Sequence, residues 1–167
     1  ENYFTYVSDA RARGVDVEMI HGDARLTLGA AEDNSYDILM MDAFTSGSIP
    51  MHLITEEAIR LYKRKLTDQG VIVFQVSNHY LDFKGPLCDL AASADFVCLS
   101  MLDMVTNAEF HKEGKSNSEY LVMTRSPKAL ATLGYAGWQQ ILPTPKPLWR
   151  DNYTNIYDYV IRCKNHT

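Results

Sequence analysis

Two carboxylates stand where an α/β sheet would put them to use. Asp42 ends the run Tyr36-Asp37-Ile38-Leu39-Met40-Met41, and Asp23 follows Val15-Asp16-Val17-Glu18-Met19-Ile20 with only His21 and Gly22 between. An apolar strand that runs into an acid delivers a charged group to the ligand crevice at the carboxyl edge of an open sheet. Each acid also has a plainer role open to it. Asp23 can cap a helix over Ala24 to Ala30, and Asp42 can cap the turn from Ala43 to Ser48. Other chemistries lack their signatures. His21, His52, His79, His111 and His166 show no ligand spacing, so no metal is expected. Ser46 and Ser48 lack the GxSxG elbow of a serine hydrolase. The nine glycines are scattered, with no GxGxxG run to cradle a phosphate.

The elements that must position these acids alternate along the chain. Val15–Ile20 alternates and is rich in β-branched residues, so it reads as a strand; Ile38–Met41 reads as a second, apolar enough to be buried on both faces. Thr55 can cap a helix with Glu56 and Glu57 in its first turn, Lys63, Arg64 and Lys65 in its last, and Ala58, Ile59, Tyr62 and Leu66 on its apolar face. Gly70 is expected to close it. Val71–Val76, Phe96–Leu99 and Glu119–Thr124 read as further strands, with a short helix from about Gly85 to Ala94 between the first two. Asp103–Ser118 is polar and reads as an exposed, hairpin-like loop. Pro143, Pro145 and Pro147 mark a surface connection, after which Trp149–Ile161 returns an aromatic tail to the body. Such alternation predicts an α/β class, with a mostly parallel sheet flanked by helices and a final strand that can be antiparallel.

A length of 167 residues predicts one domain over residues 1–167. With 16 Lys and Arg against 21 Asp and Glu, and no basic stripe longer than Lys63-Arg64-Lys65, a nucleic-acid surface is not expected. Cys88, Cys98 and Cys163 are odd in number and lack CxxC spacing. They read as reduced thiols of a cytoplasmic-type compartment, with no disulfide framework. No apolar stretch has membrane-spanning length, so no membrane contact by the chain itself is expected.

Several ordered motifs together carry a resemblance. His21-Gly22-Asp23-Ala24-Arg25, then Tyr36-Asp37 to Asp42, Ile49-Pro50 to Leu53, Leu66-Thr67-Asp68-Gln69-Gly70-Val71 and Phe74-Gln75-Val76-Ser77-Asn78 resemble the spermidine synthase family. The likeness is nearest to the spermidine-synthase-like proteins often fused behind a membrane domain, and Trp149-Arg150-Asp151-Asn152-Tyr153-Thr154-Asn155 is similar to the end of that group. The resemblance implies a Rossmann-like fold of the S-adenosylmethionine-dependent transferase type. It also implies that the chain lacks the upstream strands and glycine-rich turn of its relatives, so that on its own it turns over little. Homodimers are common among those relatives and are expected here.

The resemblance further assigns roles. Asp23 corresponds to the acid beside the donor's adenine, where a carboxylate can accept from the exocyclic NH₂ while the Ala24 N–H serves a ring nitrogen. Asp42 corresponds to the carboxylate that orients and deprotonates an attacking amine, with Ala43 next to it at the donor. An alkylammonium has a pKa of about 10 and cannot attack carbon until it loses a proton. Thr45, Gln75 and Asn78 fall on the acceptor side. True spermidine synthases carry a second acid where this chain has Thr45, so one charge that would recognise a diamine is absent. Three functions follow: aminopropyl transfer from decarboxylated S-adenosylmethionine to an amine; methyl transfer from S-adenosylmethionine to another acceptor; or a non-catalytic domain that needs a partner.

Overall fold

In this computed structural model the described residues are 4–43, 50–78, 81–144 and 146–160. They fall into two compact units, Glu1–Ala30 and Ala31–Thr167.

The first unit carries α1 (Tyr6–Ala12) and α2 (Ala24–Ala30). Between them Val15–Ile20 belongs to no ladder among the described residues, contrary to the strand that its alternation predicts. Its fixed points are the Val15 N–H donating to the Ala10 carbonyl and the Arg11 guanidinium donating to the Val17 carbonyl. Alternation decides which side chains share a face; it does not supply a neighbour for the backbone.

The second unit is built on a five-stranded sheet of order β1-β2-β4-β3-β5, where β1 is Tyr36–Met41, β2 Leu66–Gln75, β3 Val97–Asp103, β4 Ser118–Thr124 and β5 Gln139–Gln140. β1 and β2 are parallel, β4 runs against both β2 and β3, and β5 runs against β3. Hence β1, β2 and β3 share one direction and β4 is reversed, as its place at the end of the pattern allows. Insertion of β4 between β2 and β3 nevertheless makes most neighbour pairings antiparallel, so the sheet is mixed rather than mostly parallel. Strand direction was legible in the alternation of strands and helices; neighbour order was not.

One face of the sheet holds the core. Leu39, Ile72, Phe74, Leu121 and Met123 are buried there against α3 (Glu56–Lys65) and α4 (Lys84–Ser93), which contribute Ile59, Tyr62, Leu87 and Leu90. Thr55 caps α3 as expected, its hydroxyl accepting from the Ala58 N–H. On the other face Ile38 and Met40 stay 64% and 59% exposed, so β1 is not buried on both faces. Further along that face, α6 (Pro127–Tyr135) lays Ala129 and Leu133 beside Val71, Val73 and Val122 around an apolar groove of about 420 Å³. This helix was not anticipated, although Ser126-Pro127 carries its signal: Ser126 accepts from the Ala129 N–H and Pro127 opens the first turn.

Gly70 does not close α3. The helix ends at Lys65 and the chain passes directly into β2, within which the register against β1 shifts. A Cβ on Gly70 would lie 2.8 Å from Leu66 Cδ2 and 3.0 Å from the Tyr36 carbonyl oxygen, so glycine permits the close approach of β1 at this irregularity. The segment after β3 is likewise not a plain loop. It contains α5 (Asn107–Glu113), opened by a reciprocal capping box between Thr106 and Glu109 and ended by Gly114 in the left-handed conformation.

Cys88 and Cys98 form a disulfide, contrary to the expectation of reduced thiols. The three-residue link from α4 to β3 folds the strand back along the helix, which brings the two Cα atoms to 5.4 Å. Sequence spacing does not show this, because ten residues across a helix and a turn match no recognised cysteine motif. The oxidised pair removes the composition-based ground for a reducing compartment, and Cys163 lies outside the described residues. Among the described residues no helix is long and apolar enough to cross a membrane.

The tail returns to the body as expected. Trp149 is 2% exposed and packs edge-on against Phe83 and Tyr159, while its carbonyl accepts from the Glu56 N–H at 2.8 Å. Asp151 accepts from the Thr55 hydroxyl, and its own N–H donates to Glu57.

Candidate functional site

Asp42 is the first residue past β1, and it is exposed. The last ladder pair between β1 and β2 is Met41 with Phe74, so the next residue on each chain, Asp42 and Gln75, leave the carboxyl edge at the same level. Adjacent strands lie roughly 4.8 Å apart, which makes Asp42 and Gln75 neighbours at the sheet edge. Ala43 follows Asp42, exposed. Thr45 lies outside the described residues.

Gln75 and Asn78 are half-buried and line one groove of about 660 Å³. Asn78 also shapes the turn after β2, where its Oδ1 accepts from the Leu81 N–H at 3.0 Å. The far wall of the groove is α5 and the chain that follows it, with Asn107, Phe110, Lys115 and Asn117. Asn117 Oδ1 accepts from the Val105 N–H at 2.8 Å, and Ser77 Oγ accepts from the Glu119 N–H at 2.8 Å. These bonds fix both sides of the opening. The structure thus brings two predicted acceptor-side residues into one cleft and adds a wall that the sequence reading missed. The missed signal was Thr106-Asn107-Ala108-Glu109, a capping-box pattern inside a segment read as loop.

Two ion pairs flank this groove. Lys84 Nζ lies 2.8 Å from Glu119 Oε1, and Lys115 Nζ lies 3.0 Å from Asp103 Oδ2. Burial works against the charge on Lys84, but the hydrogen bond to Glu119 and the negative charges of Glu119 and Asp82 outweigh it and raise its pKa. The hydrogen bond to Asp103, with that residue's charge, raises Lys115 in the same way. On α5, Glu109 is held below the usual carboxylate range by its hydrogen bonds from Thr106.

Asp23 belongs to the first unit, immediately before α2. Its Oδ1 accepts from the Arg25 N–H at 2.9 Å and the Leu26 N–H at 3.0 Å, the geometry of a helix N-cap, with Ala24 as the first helical residue. The plainer role is therefore filled. Glu56 and Glu57, in the first turn of α3, are engaged with the tail: Glu56 pairs with Arg150, and with Arg60 of its own helix, and Glu57 accepts from the Asp151 N–H. Among the described residues no group of three His, Cys, Asp or Glu side chains is arranged to hold a metal ion.

No protein-family model and no curated protein matches this sequence. Solved structures do. A probable spermidine synthase from Corynebacterium glutamicum ATCC 13032 superposes with a TM-score of 0.54 at 16% identity, over 90% of this chain and 62% of its own. MNMC2 from Aquifex aeolicus superposes with a TM-score of 0.49 at 17% identity, over 75% of this chain and 38% of its own. The chain spans less than two thirds of the length of either. The likeness to the first shows the fold, a Rossmann-like α/β sheet flanked by helices, which is the fold class that the motifs imply.

Proposed function

We propose that this chain belongs to a sulfonium-dependent transferase of the spermidine-synthase-like type, with Asp42 as general base. The observation that carries the reading is the level placement of Asp42 and Gln75 on adjacent parallel strands, with Gln75 opening onto a groove of a size suited to a small acceptor. In a Rossmann-like sheet the carboxyl edge is where ligands bind.

The chemistry asks for little beyond position and one base. The carboxylate of Asp42 holds an acceptor ammonium and takes its proton as the site sheds water. The freed nitrogen lone pair then forms a bond to the aminopropyl carbon of decarboxylated S-adenosylmethionine as the carbon–sulfur bond breaks. Sulfur leaves as the neutral thioether of methylthioadenosine, so the leaving group needs no acid. Orientation of the two reactants supplies much of the rate. Asp23 and Ala24 are assigned to the donor's adenine, and Ala43 to the donor beside Asp42.

Calorimetric titration tests the donor half of the reading, in a preparation that retains any residues its gene encodes before Glu1. Methylthioadenosine and decarboxylated S-adenosylmethionine should bind. Binding of S-adenosylmethionine alone would turn the assignment to methyl transfer, and binding of none would remove the transferase reading.

A further inference from the structure

We propose that the groove between the end of β2 and α5 is the acceptor subsite, and that it takes a primary amine with a neutral polar tail in preference to a diamine. The proposal rests on the transferase reading above, which sets the reacting nitrogen at Asp42.

The groove begins one strand away from Asp42, at Gln75, and runs toward α5. A short aliphatic amine held by Asp42 would therefore extend its far end past Gln75 into the groove. What that end meets decides the substrate class. The charged residues lining the groove are Lys115 and Glu119, and each already faces an opposite charge, Asp103 and Lys84 respectively. The two pairs sum to zero. A second ammonium entering here would lose hydration and find each carboxylate shared with a lysine, so it could gain a partner only by displacing one.

A hydroxyl or amide meets better conditions. Gln75, Asn107 and Asn117 present amides, and Ser77 a hydroxyl, so both donors and acceptors line the groove. Phe110 and Leu102, both 55% exposed, give the same groove an apolar side for a methylene chain. Amide and hydroxyl groups on one side, an apolar wall on the other and no net charge describe a site for an amino alcohol or an amino amide.

The test compares putrescine with aminobutanol, which has the same chain with a hydroxyl in place of the second amine. Each is titrated into the protein saturated with methylthioadenosine. Aminobutanol should bind at least as tightly as putrescine, and a preference for putrescine of about tenfold or more would overturn the proposal. Lys84→Met leaves Glu119 without its lysine and should shift the affinity ratio toward putrescine by about tenfold, the scale of a hydrogen bond to a charged group. Lys115→Gln releases Asp103 and gives an independent second variant. Ratios unmoved in both variants would overturn the proposal, as would failure of both amines to bind while methylthioadenosine is bound. Failure of methylthioadenosine itself to bind would count instead against the transferase reading.

Discussion

Asp42 and Gln75 leave neighbouring parallel strands at the same level, one residue past the pair Met41 and Phe74. The relationship joins an acid that can take a proton to an amide that opens onto a groove. It arises from backbone pairing rather than from a contact between the two side chains, so substitution at either position should leave the sheet intact. The functions of the two can then be separated.

Gln75→Ala removes one hydrogen-bonding group from the groove. The acceptor KM should rise by up to about tenfold, the range of a neutral hydrogen bond, with donor affinity unchanged. Steady-state kinetics with the acceptor varied, together with donor titration, read the two effects apart. An equal loss in donor affinity would place Gln75 elsewhere in the site.

Trp149 anchors the tail through its ring and its carbonyl. Trp149→Ala should lower stability by about 3–5 kcal/mol, as for other large-to-small changes at buried aromatic positions, because Phe83 and Tyr159 lose their shared edge-on partner. Urea unfolding measures this directly. A loss within the range of surface substitutions would show that the tail is dispensable to the body.

The disulfide between Cys88 and Cys98 sets a thiol count. Denaturation without reductant should expose one reactive thiol, that of Cys163, and three after reduction, since the chain has three cysteines. Cys88→Ala should cost about 2–4 kcal/mol in the oxidised protein and much less against a reduced reference. Three thiols before reduction would contradict the pairing.

Stability should also depend on pH through Asp33. Lys65 is buried at the end of α3 and donates to the Ala31 carbonyl, with Asp33 Oδ1 2.7 Å from its ammonium. That hydrogen bond, and the positive charges of Lys65 and Arg64, hold the Asp33 carboxyl below its ordinary value despite opposing desolvation. A depressed carboxylate contributes stability that is present above its unfolded pKa and is lost as pH falls through the folded one. The parent protein should therefore be more stable than Asp33→Asn at neutral pH, and the gap should close as the solution is acidified below the ordinary carboxylate range. A gap that persists in strong acid would deny the ion pair its part.

The residues show why some of this was legible in the sequence and some was not. α3 was readable because Thr55, the first-turn acids, the last-turn bases and the apolar stripe all agree, and its cap lies where expected. Asp42 was readable because β1 is apolar up to its end. Val15–Ile20 was misread because its pattern is that of a strand while its neighbour is not set by local sequence. α5 and Gly70 were misread for a different reason: a polar composition hid the capping box at Thr106, and a glycine after a helix was taken as its end when a strand irregularity required it. The groove depends on α5, so the missed helix concealed its far wall. For Asp23 the structure shows the helix cap that its place before Ala24 allows.

The central claim is that Asp42 takes the acceptor's proton, and Asp42→Asn tests it most directly, because the amide keeps the shape and loses the base. In protein that retains any residues its gene encodes before Glu1, donor affinity should stay within about twofold of the parent while kcat falls at least about 100-fold, the scale of a lost general base. An unchanged kcat would contradict the account and leave Asp42 as a turn cap at the end of β1.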